Sequence, residues 1–364
     1  MRSWIEVDTA AIAANARRLA ELVAPARLCA VVKSNAYGHG LVPVSRALAA
    51  TGIEGLRFGV FSMDEALALR QAGIQQTVIV LGPADAADLA DAARAHLEVA
   101  LLDEADAEPF ARGGIAVHLK VETGTRRFGI APRAAKRLLH RARDLDLNVA
   151  GLYSHLANAE DLDEAYTARQ LGALLEVSRD LRSRDAAGFV RPLHHIAASA
   201  AAMMWPHTRL DMVRCGIAIY GAWPSSQVRE FMATNDPRFE LNPALRWIAP
   251  IVQVKEVGAG DSVGYGCTFV PDRDSRIAVL PVGYADGLPR AAGNGSVRTS
   301  GGPASLIGRI CMNACMADVS GIVPAPQRGD RVELDVDELA AAAGTINYEI
   351  LARLSPALER RYGQ

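Results

Sequence analysis

Apolar runs and stretches with helical patterning alternate along the first two thirds of the chain. Short runs rich in β-branched residues, each bounded by polar or turn-forming residues, predict buried strands. They occupy residues 28–32, 56–61, 78–81, 97–102, 116–121, 149–153, 193–197 and 212–215. Helical patterning covers residues 9–22, 64–71, 84–95, 132–145 and 163–184. This α/β alternation, with eight predicted strands, indicates a parallel (β/α)8 TIM-like barrel.

A doubly wound open sheet is the alternative fold. Such a sheet usually has fewer strands, and its first strand is commonly followed by a Gly-x-Gly-x-x-Gly motif that binds a dinucleotide. The first barrel-type strand here is followed instead by Lys33 and a polar turn. The barrel is therefore the favoured interpretation.

The pattern changes near Trp223. Residues 224–243 contain several Pro, Ser and Asn residues and predict a linker or irregular segment. Short runs at residues 245–257, 275–282, 304–311 and 331–334 then alternate with turn signals, and residues 336–354 have helical patterning. We therefore expect the barrel in residues 1–232 and a predominantly β C-terminal domain in residues 233–364. The strand-like N-terminus could belong to either domain.

Composition excludes several classes of function. Half of the residues are hydrophobic and the formal charge is -2, so neither a nucleic-acid partner nor a disordered tail is indicated. No apolar run is long enough to span a membrane, and the N-terminus lacks the apolar core of a signal peptide. The five cysteines predict reduced thiols in a cytoplasmic protein. Cys311 and Cys315 have no second Cys or His pair nearby, so we interpret them as core residues and expect no metal site.

One lysine stands where a predicted buried strand ends. Lys33 follows the apolar residues 28–32 and precedes a polar turn that contains Tyr37 and His39 between glycines. Strand ends of this kind carry the chemistry of α/β barrels. A lysine against apolar walls can lose its proton and form a Schiff base. A lysine that extends its ammonium group into solvent is the alternative interpretation.

Other predicted strand ends also carry basic or imidazole side chains. They are Lys120, Arg126, Arg127, His155, His195 and Arg214. Ser199 and the backbone amides of Gly216 and Ile217 follow the last two strands, where barrels commonly bind phosphate. A phosphate site near a buried lysine indicates pyridoxal 5'-phosphate. A sugar-phosphate aldolase, which also combines a barrel, a lysine and a phosphate site, is the alternative.

Several motifs in both predicted domains resemble those of the alanine racemase family. They are residues 31–40, 118–124, 213–221, 263–269, 281–287 and 308–312, and the resemblance extends over essentially the whole chain. The resemblance implies a cytoplasmic isomerase that carries pyridoxal 5'-phosphate on Lys33. It also implies a homodimer with shared active sites, in which Lys33 and Tyr265 of the partner subunit are the two acid/base groups.

The resemblance assigns roles to further residues. It implies that His195 and Arg214 form a network with Tyr265 that favours the phenolate, and that Arg214 hydrogen-bonds the pyridine nitrogen. Implied cofactor contacts are Tyr37, Arg127, His155, Ser199, Gly216 and Ile217, and implied substrate contacts are Arg127, Tyr265, Tyr284 and Met312. Lys120 corresponds to a lysine that is often carbamylated in the family and then pairs with Arg127. An unmodified ammonium group is the alternative for Lys120.

Four departures from the family pattern bear on substrate preference. They are Ala198 for Asn, Asn313 for Asp, Thr125-Arg126 ahead of Arg127, and residues 354–362 in place of an Arg-Val-Pro-Arg-type ending. A tyrosine that contacts the phosphate in some relatives falls near Pro356, and we do not carry its role over. None of these departures removes Lys33, Tyr265 or Arg214.

The sequence therefore predicts racemisation of L- and D-alanine, which supplies D-alanine for peptidoglycan or serves alanine catabolism. A racemase of serine, lysine or arginine is favoured only by the departures. A barrel-type decarboxylase of basic amino acids shares the architecture, but the motif around Tyr265 argues for a racemase. A noncatalytic pyridoxal-phosphate carrier would resemble the barrel alone. Neither a nucleic acid nor a membrane is expected as a partner.

Overall fold

A computed structural model of the chain describes residues 2–179 and 191–363. The strands are β1 (Trp4–Asp8), β2 (Arg27–Val31), β3 (Arg57–Val60), β4 (Val78–Val80), β5 (Glu98–Leu101), β6 (Ala116–Lys120), β7 (Val149–Tyr153), β8 (Leu193–His195), β9 (Met212–Cys215), β10 (Leu245–Pro250), β11 (Gln253–Val257), β12 (Ser275–Leu280), β13 (Ser296–Thr299), β14 (Gly302–Ile307), β15 (Cys315–Asp318), β16 (Arg331–Leu334) and β17 (Glu359–Gly363).

The helical segments are α1 (Thr9–Val23), α2 (Lys33–Tyr37), α3 (Leu41–Ala49), α4 (Met63–Gln71), α5 (Leu89–Arg94), α6 (Ala107–Arg112), α7 (Pro132–Arg141), α8 (Ala165–Ser178), α9 (Ser199–Met204), α10 (Ser226–Asn235), α11 (Val336–Ala343) and α12 (Asn347–Arg353). Within the described ranges, no helix combines the length and the hydropathy that crossing a membrane requires.

The first compact unit comprises residues Ala10–Ala36 and Leu41–Pro243. Its eight strands are parallel and follow the order β8-β7-β6-β5-β4-β3-β2-β9. A parallel bridge between Ala198 and Arg214 nearly closes the sheet. The barrel strands are largely apolar and buried, as expected for a parallel sheet covered by helices. The predicted barrel is confirmed, and its eight strands lie within two residues of the predicted bounds.

The second compact unit comprises residues Met1–Thr9, Tyr37–Gly40 and Ala244–Gln364. Its nine strands follow the order β11-β12-β15-β14-β13-β16-β10-β1-β17. The N-terminal strand β1 pairs antiparallel with β10 and parallel with β17. The predicted β-rich character of this part of the chain is confirmed.

Residues 224–243 were predicted to be a linker or irregular, and this prediction is wrong in the middle of the segment. Helix α10 begins there after Ser225, whose hydroxyl accepts a hydrogen bond from the Val228 backbone N–H. Val228 and Met232 lie four residues apart on the buried face of this helix. A serine cap and one buried helical stripe therefore outweigh the turn-forming composition around them.

Two further predicted elements are interrupted. The strand predicted over residues 245–257 is two strands, because β10 ends at Pro250 and β11 begins at Gln253. The helix predicted over residues 336–354 is likewise two helices, since Gly344 ends α11 with a φ of 66°. The helix predicted over residues 163–184 is observed as α8, and residues 180–184 lie outside the described residues.

Candidate active site

The segment α2, which begins at Lys33, is a turn with a left-handed backbone over four non-glycine residues. Ser34, Asn35, Ala36 and Tyr37 have φ values of 54°, 54°, 53° and 51°. Each left-handed residue of this kind costs roughly 1–2 kcal/mol, so the turn needs outside support. Glu65 Oε1 accepts a hydrogen bond of 2.6 Å from the Ser34 backbone N–H. The Asn35 Oδ1 atom accepts another, of 2.9 Å, from the Leu41 N–H.

Glu65 connects this turn to helix α4. With Ser62 it forms a capping box at the start of the helix, and its other carboxylate oxygen accepts a hydrogen bond of 2.9 Å from the Phe61 backbone N–H. One carboxylate thus caps a helix and supports the strained turn beside Lys33. This arrangement fixes the direction in which the lysine leaves its strand.

Lys33 is half-buried and has an aromatic neighbour. Its Nζ atom lies 5.9 Å from the centre of the Phe61 ring. Burial lowers the pKa of Lys33, and the charges of Arg127 and Arg214 lower it further against the opposing effect of Glu65. The surroundings therefore favour the neutral amine, which is the reactive form of a lysine.

Lys120 is buried at the end of β6. Its Nζ atom lies 5.5 Å from the centre of the Phe128 ring and 5.7 Å from that of Tyr153. Burial lowers its pKa to about 8, and the charges of Arg127 and Arg214 contribute to the shift. Lys33 also contributes, so these cationic groups share one neighbourhood in the barrel.

Arg214 is buried in β9 and donates hydrogen bonds in several directions. Its Nη1 atom donates to His195 Nδ1 over 2.7 Å, and its Nη2 atom donates to the Ser154 and Ile196 carbonyls over 2.8 and 3.1 Å. Nη2 also lies 3.3 Å from Nδ1 of His155. These contacts fix the plane of the guanidinium group.

His155 and His195 are both held in the neutral form. Burial lowers the pKa of His155 to about 3, assisted by the charge of Arg214. Burial and the same arginine lower the pKa of His195 well below its usual value. The ring of Tyr153 stacks on His195 with centroids 4.8 Å apart and an interplanar angle of 6°. A neutral imidazole can accept the hydrogen bond that an arginine donates.

Ser199, Gly216 and Ile217 lie together after the last two barrel strands. Ser199 begins α9, and its buried Oγ atom accepts a hydrogen bond of 3.1 Å from the Gly216 backbone N–H. A short 3-10 helix begins at Ile217. This is the place where the barrel fold commonly binds phosphate.

Arg127 lies in the loop after β6, and its side chain is exposed. Its backbone N–H donates to Glu122 Oε2 over 3.3 Å, and Thr125 donates its hydroxyl to the same oxygen over 3.0 Å. The unusual Thr125-Arg126 pair thus forms part of a turn organised by Glu122. Arg126 itself adopts a φ of 55° and is exposed.

Four of the predicted site residues lie in the second unit, and three of them, Tyr265, Tyr284 and Met312, are exposed. The exposed fractions are 70% for Tyr265, 45% for Tyr284 and 55% for Met312. The Tyr284 N–H donates to the Cys311 carbonyl over 3.1 Å, and the Ala285 N–H donates to the Met312 carbonyl over 2.9 Å. Tyr284 and Met312 therefore lie on paired segments.

Tyr265 lies in a turn between two glycines with positive φ, Gly264 at 78° and Gly266 at 75°. A Cβ atom on Gly266 would lie 3.0 Å from Arg309 Nη1. The turn therefore depends on glycine for its backbone conformation and for its close approach to Arg309. It presents the Tyr265 ring on the surface of the chain.

Tyr37 also belongs to the second unit, where residues near the C-terminus support it. Its ring lies 6.2 Å from that of Tyr348. Arg360 Nε donates to the Gly38 carbonyl over 2.7 Å. The unusual C-terminal sequence therefore contacts the motif that contains Tyr37. The same motif packs against Tyr362, because a Cβ atom on Gly40 would lie 2.0 Å from the Tyr362 hydroxyl oxygen.

Two sequence profiles of one family match the chain. The profile of the alanine racemase N-terminal domain matches residues 7–224, and that of the C-terminal domain matches residues 244–362. The chain belongs to the alanine racemase family. The motifs from Lys33 to Met312 lie within the residues that the two profiles match.

Individual alanine racemases are similar over their full length. That of Desulforamulus reducens is 36% identical over 374 residues, which cover 99% of this chain and 98% of the relative. The structure of the enzyme from D-cycloserine-producing Streptomyces lavendulae has a TM-score of 0.91 at 30% identity, covering 100% of this chain and 97% of that one. The enzyme from Bartonella henselae, with covalently bound pyridoxal phosphate, has a TM-score of 0.88 at 27% identity, covering 100% and 99%. The chain is accordingly an isomerase, of the amino-acid racemase class.

The barrel residues suit the cofactor that the alanine racemase family implies. Burial and neighbouring charges lower the pKa of Lys33, and the cations around it favour an anionic ligand. Among the described residues, the buried hydroxyl of Tyr153 has no hydrogen-bond partner, although its ring lies beside Lys120 and Arg214. A buried polar atom without a partner is expected where a bound group supplies one. The donor set therefore fits a phosphate-bearing aldehyde.

Sequence reasoning missed several residues that hold this site. The predicted set gives no role to Glu65, Tyr153 or Tyr348. It also gives no role to the residues that are hydrogen-bonded to His195 in the barrel interior. Ser62 and Glu65 have the spacing of a capping box, which could have predicted where α4 begins. The sequence alone gave no indication that the same carboxylate also supports the turn after Lys33.

Proposed function

We propose that the protein is a pyridoxal-phosphate-dependent racemase that interconverts L- and D-alanine. Its acid/base groups are Lys33 and Tyr265 of the partner subunit. The observation that carries the proposal is the position of Lys33, which follows the buried barrel strand β2 and lies within the electrostatic influence of Arg127, Lys120 and Arg214. The full-length similarity to alanine racemases adds the substrate.

Lys33 holds the cofactor in this proposal. When bound, pyridoxal 5'-phosphate delocalises the electron pair that remains at the substrate Cα after its proton is removed. The Ser199 hydroxyl, the amides of Gly216 and Ile217, and Tyr37 would bind the phosphate group. His155 would lie against the cofactor ring as a neutral imidazole. The alanine racemase of Bartonella henselae, which carries this cofactor covalently, supports the assignment.

Racemisation requires a proton to leave one face of Cα and to arrive on the other. In this proposal Nζ of Lys33 holds the proton on one face, and the hydroxyl oxygen of Tyr265 holds it on the other. The lowered pKa of Lys33 suits a group that must both accept and return a proton. A phenol has an ordinary pKa of about 10, so the phenolate of Tyr265 needs positive charge nearby. Arg214 would provide that charge, and the neutral His195 would hold its guanidinium group in place.

Arg214 would hold the cofactor by donating a hydrogen bond to its pyridine nitrogen, and it would thereby influence the reaction outcome. An arginine keeps its proton, so the nitrogen receives a hydrogen bond rather than a full charge. A ring without that charge withdraws electrons less strongly, and this disfavours side reactions such as transamination. The buried contacts of Arg214 with His195 and two carbonyls support this orientation.

Several residues would bind the substrate in this proposal. Arg127 would orient the substrate carboxylate and the cofactor hydroxyl, assisted by the Met312 backbone amide. Tyr265 and Tyr284 would line the entrance from the partner subunit in a homodimer. The exposure of Tyr265, Tyr284 and Met312 supports a role at a subunit boundary, since large exposed apolar side chains often mark interfaces.

Lys120 is proposed to be carbamylated, which converts it to an anion beside Arg127. A carbamate forms from the neutral amine, and the pKa of about 8 makes that form accessible near neutral pH.

Domain roles follow from these assignments: the barrel, predicted over residues 1–232, binds the cofactor, and residues 233–364 supply the second base. The five cysteines are all free thiols, which supports a cytoplasmic location. There the enzyme would supply D-alanine for peptidoglycan or take part in alanine catabolism.

Deuterium exchange tests this function. The purified holoprotein is incubated with L-alanine in D2O, and incorporation of deuterium at Cα is followed together with the chirality of the product. We expect both exchange and racemisation. Serine, lysine and arginine are tested in parallel because Arg126 and Asn313 depart from the family pattern near the proposed substrate site.

The outcomes separate the alternatives. Racemisation of another amino acid, with alanine unchanged, would contradict the substrate assignment but keep the chemistry. Release of carbon dioxide would indicate a decarboxylase. An absence of Cα exchange with every amino acid would refute the racemase proposal altogether.

A further inference from the structure

A continuous line of hydrogen bonds extends from Arg214 through the barrel interior. His195 Nε2 lies 2.8 Å from His118 Nδ1, and His118 Nε2 lies 2.7 Å from Glu98 Oε2. Arg57 Nη1 donates to the same Glu98 oxygen over 2.6 Å. With the Arg214–His195 bond of 2.7 Å, four contacts join residues of β9, β8, β6, β5 and β3. We call this line the interior hydrogen-bond chain.

The donor and acceptor roles in the interior hydrogen-bond chain follow from its two ends. An arginine can only donate, so Nδ1 of His195 must accept. The proton of neutral His195 is then on Nε2 and is donated to Nδ1 of His118. His118 consequently carries its own proton on Nε2 and donates it to Glu98. A carboxylate can only accept, so the requirements at both ends agree.

Burial makes these roles strict. His118 and His195 are fully buried, so an imidazole in the wrong tautomer would leave unpaired polar atoms away from water. Burial raises the pKa of Glu98, whereas the hydrogen bond from His118 and the charge and hydrogen bond of Arg57 lower it. Glu98 therefore remains a carboxylate.

Strand β7 is shaped around the two imidazoles. A Cβ atom on Gly151 would lie 2.0 Å from His118 Nδ1, so only glycine leaves room for that ring. Two residues further on, Tyr153 stacks on His195. The neighbouring strand thus accommodates both rings of the interior hydrogen-bond chain. A glycine inside a strand is unfavourable unless close packing requires it.

We propose that His118, Glu98 and Arg57 are positioning residues that act on the cofactor through His195 and Arg214. They fix both histidines as Nε2–H tautomers, which commits Nη1 of Arg214 to His195 and sets the direction of its guanidinium group. No proton moves along the interior hydrogen-bond chain during this task. The consequence for the pyridine nitrogen rests on the proposed function, whereas the tautomers are a property of the folded chain.

Nitrogen NMR tests the tautomers directly. The holoprotein is labelled with 15N-histidine, and the ring nitrogens of its eight histidines are recorded between pH 6 and 9. His118 and His195 are assigned by single substitutions. We expect each of the two rings to carry a single proton, on Nε2. A proton on Nδ1, or a doubly protonated ring, at either residue would overturn the proposal whether or not the protein racemises alanine.

Glu98→Gln tests the effect of the far end. The neutral amide is a weaker acceptor, so we expect the His118 signals to move towards a mixture of tautomers. Substitution of a residue that orients a ligand-binding group typically lowers activity about tenfold or more. We therefore expect kcat for racemisation to fall about tenfold and the absorbance of the bound cofactor to change. Glu54→Gln is the matched control, since Glu54 is an exposed carboxylate in the loop before β3. It should leave the tautomers, kcat and the cofactor spectrum unchanged.

Gly151→Ala provides a second variant that removes no polar group. The added Cβ atom displaces His118, so it should reproduce the changes in the His118 signals and in the cofactor spectrum. Glu98→Gln and Gly151→Ala variants that fold and match the Glu54→Gln control in both tautomers and spectra would refute the positioning role. A different result would contradict only the proposed function: the two variants alter the tautomers, but the unmodified protein does not racemise alanine.

Discussion

Two groups of proposed site residues, one in the barrel and one in the second unit, differ in how they are held. Arg214, His195 and Lys120 are buried and fixed by hydrogen bonds or aromatic contacts. Tyr265, Tyr284 and Met312 are among the most exposed large apolar residues of the described chain. The first group is pre-organised by the fold of a single chain.

This difference separates two requirements of the proposed reaction. Stabilisation of charge needs fixed dipoles in a site without water, and the barrel supplies them. A second base on the opposite face of the substrate needs an approach from another direction, and an exposed tyrosine on a glycine-flanked turn is suited to it. We therefore expect substitutions in the barrel to affect cofactor chemistry, and substitutions in the exposed group to affect one proton transfer.

Lys33→Ala should have the largest effect, because it removes the cofactor anchor and one base together. We expect racemisation to fall by about 10^4-fold or more, since each of these roles is worth several powers of ten. Racemisation of alanine and covalent retention of the cofactor are the measurements. Lys255→Ala, an exposed lysine of β11, is the control and should keep full activity. Retained activity in Lys33→Ala would contradict the assignment.

Tyr265→Phe should lower racemisation by about 10^2 to 10^4-fold, the range for loss of one acid/base group. Cofactor content should remain normal, because the barrel residues are intact. Exchange of the Cα proton should persist for one enantiomer of alanine and be lost for the other. Tyr166→Phe removes the hydroxyl that donates to the Gly124 carbonyl in the barrel and is the matched control. Equal loss of exchange for both enantiomers would contradict the separation of roles between the two groups.

Arg214→Glu should change the reaction outcome more than substrate binding. A carboxylic acid can hand the pyridine nitrogen a proton, so the ratio of transamination to racemisation should rise by about tenfold or more. Pyruvate formation from alanine measures this ratio. Arg214→Lys keeps the charge without the planar group and should produce less pyruvate. An unchanged product ratio in Arg214→Glu would remove the proposed role of Arg214.

Lys120 should show a pH-dependent modification of modest effect on rate. Its lowered pKa means that the neutral amine predominates above about pH 8, whereas an ordinary lysine is still protonated there. With 13C-bicarbonate, a carbamate signal should therefore increase as the pH rises through this value. Lys120→Ala should lack the signal.

Folding stability should also rise with pH between about 8 and 10.5, because the unfolded lysine binds more protons than the folded one in that window.

Periodicity was sufficient to predict the barrel because each strand is a short apolar run with clear boundaries. It was also sufficient to put Lys33 at a strand end. The partners of His195 could not be predicted, since the bond between His118 and His195 joins residues 77 positions apart and exists only once the sheet closes. Helix α10 was missed because two buried side chains decide its position within a polar segment.

Complementation of two inactive variants tests the shared active site most directly. Lys33→Ala and Tyr265→Phe chains are co-expressed with different tags, and the dimer that contains one chain of each kind is purified. If each site takes Lys33 from one chain and Tyr265 from the other, this dimer has one intact site and should recover about half of the wild-type activity. Activity no higher than that of the two parent variants would contradict a site completed by the partner subunit.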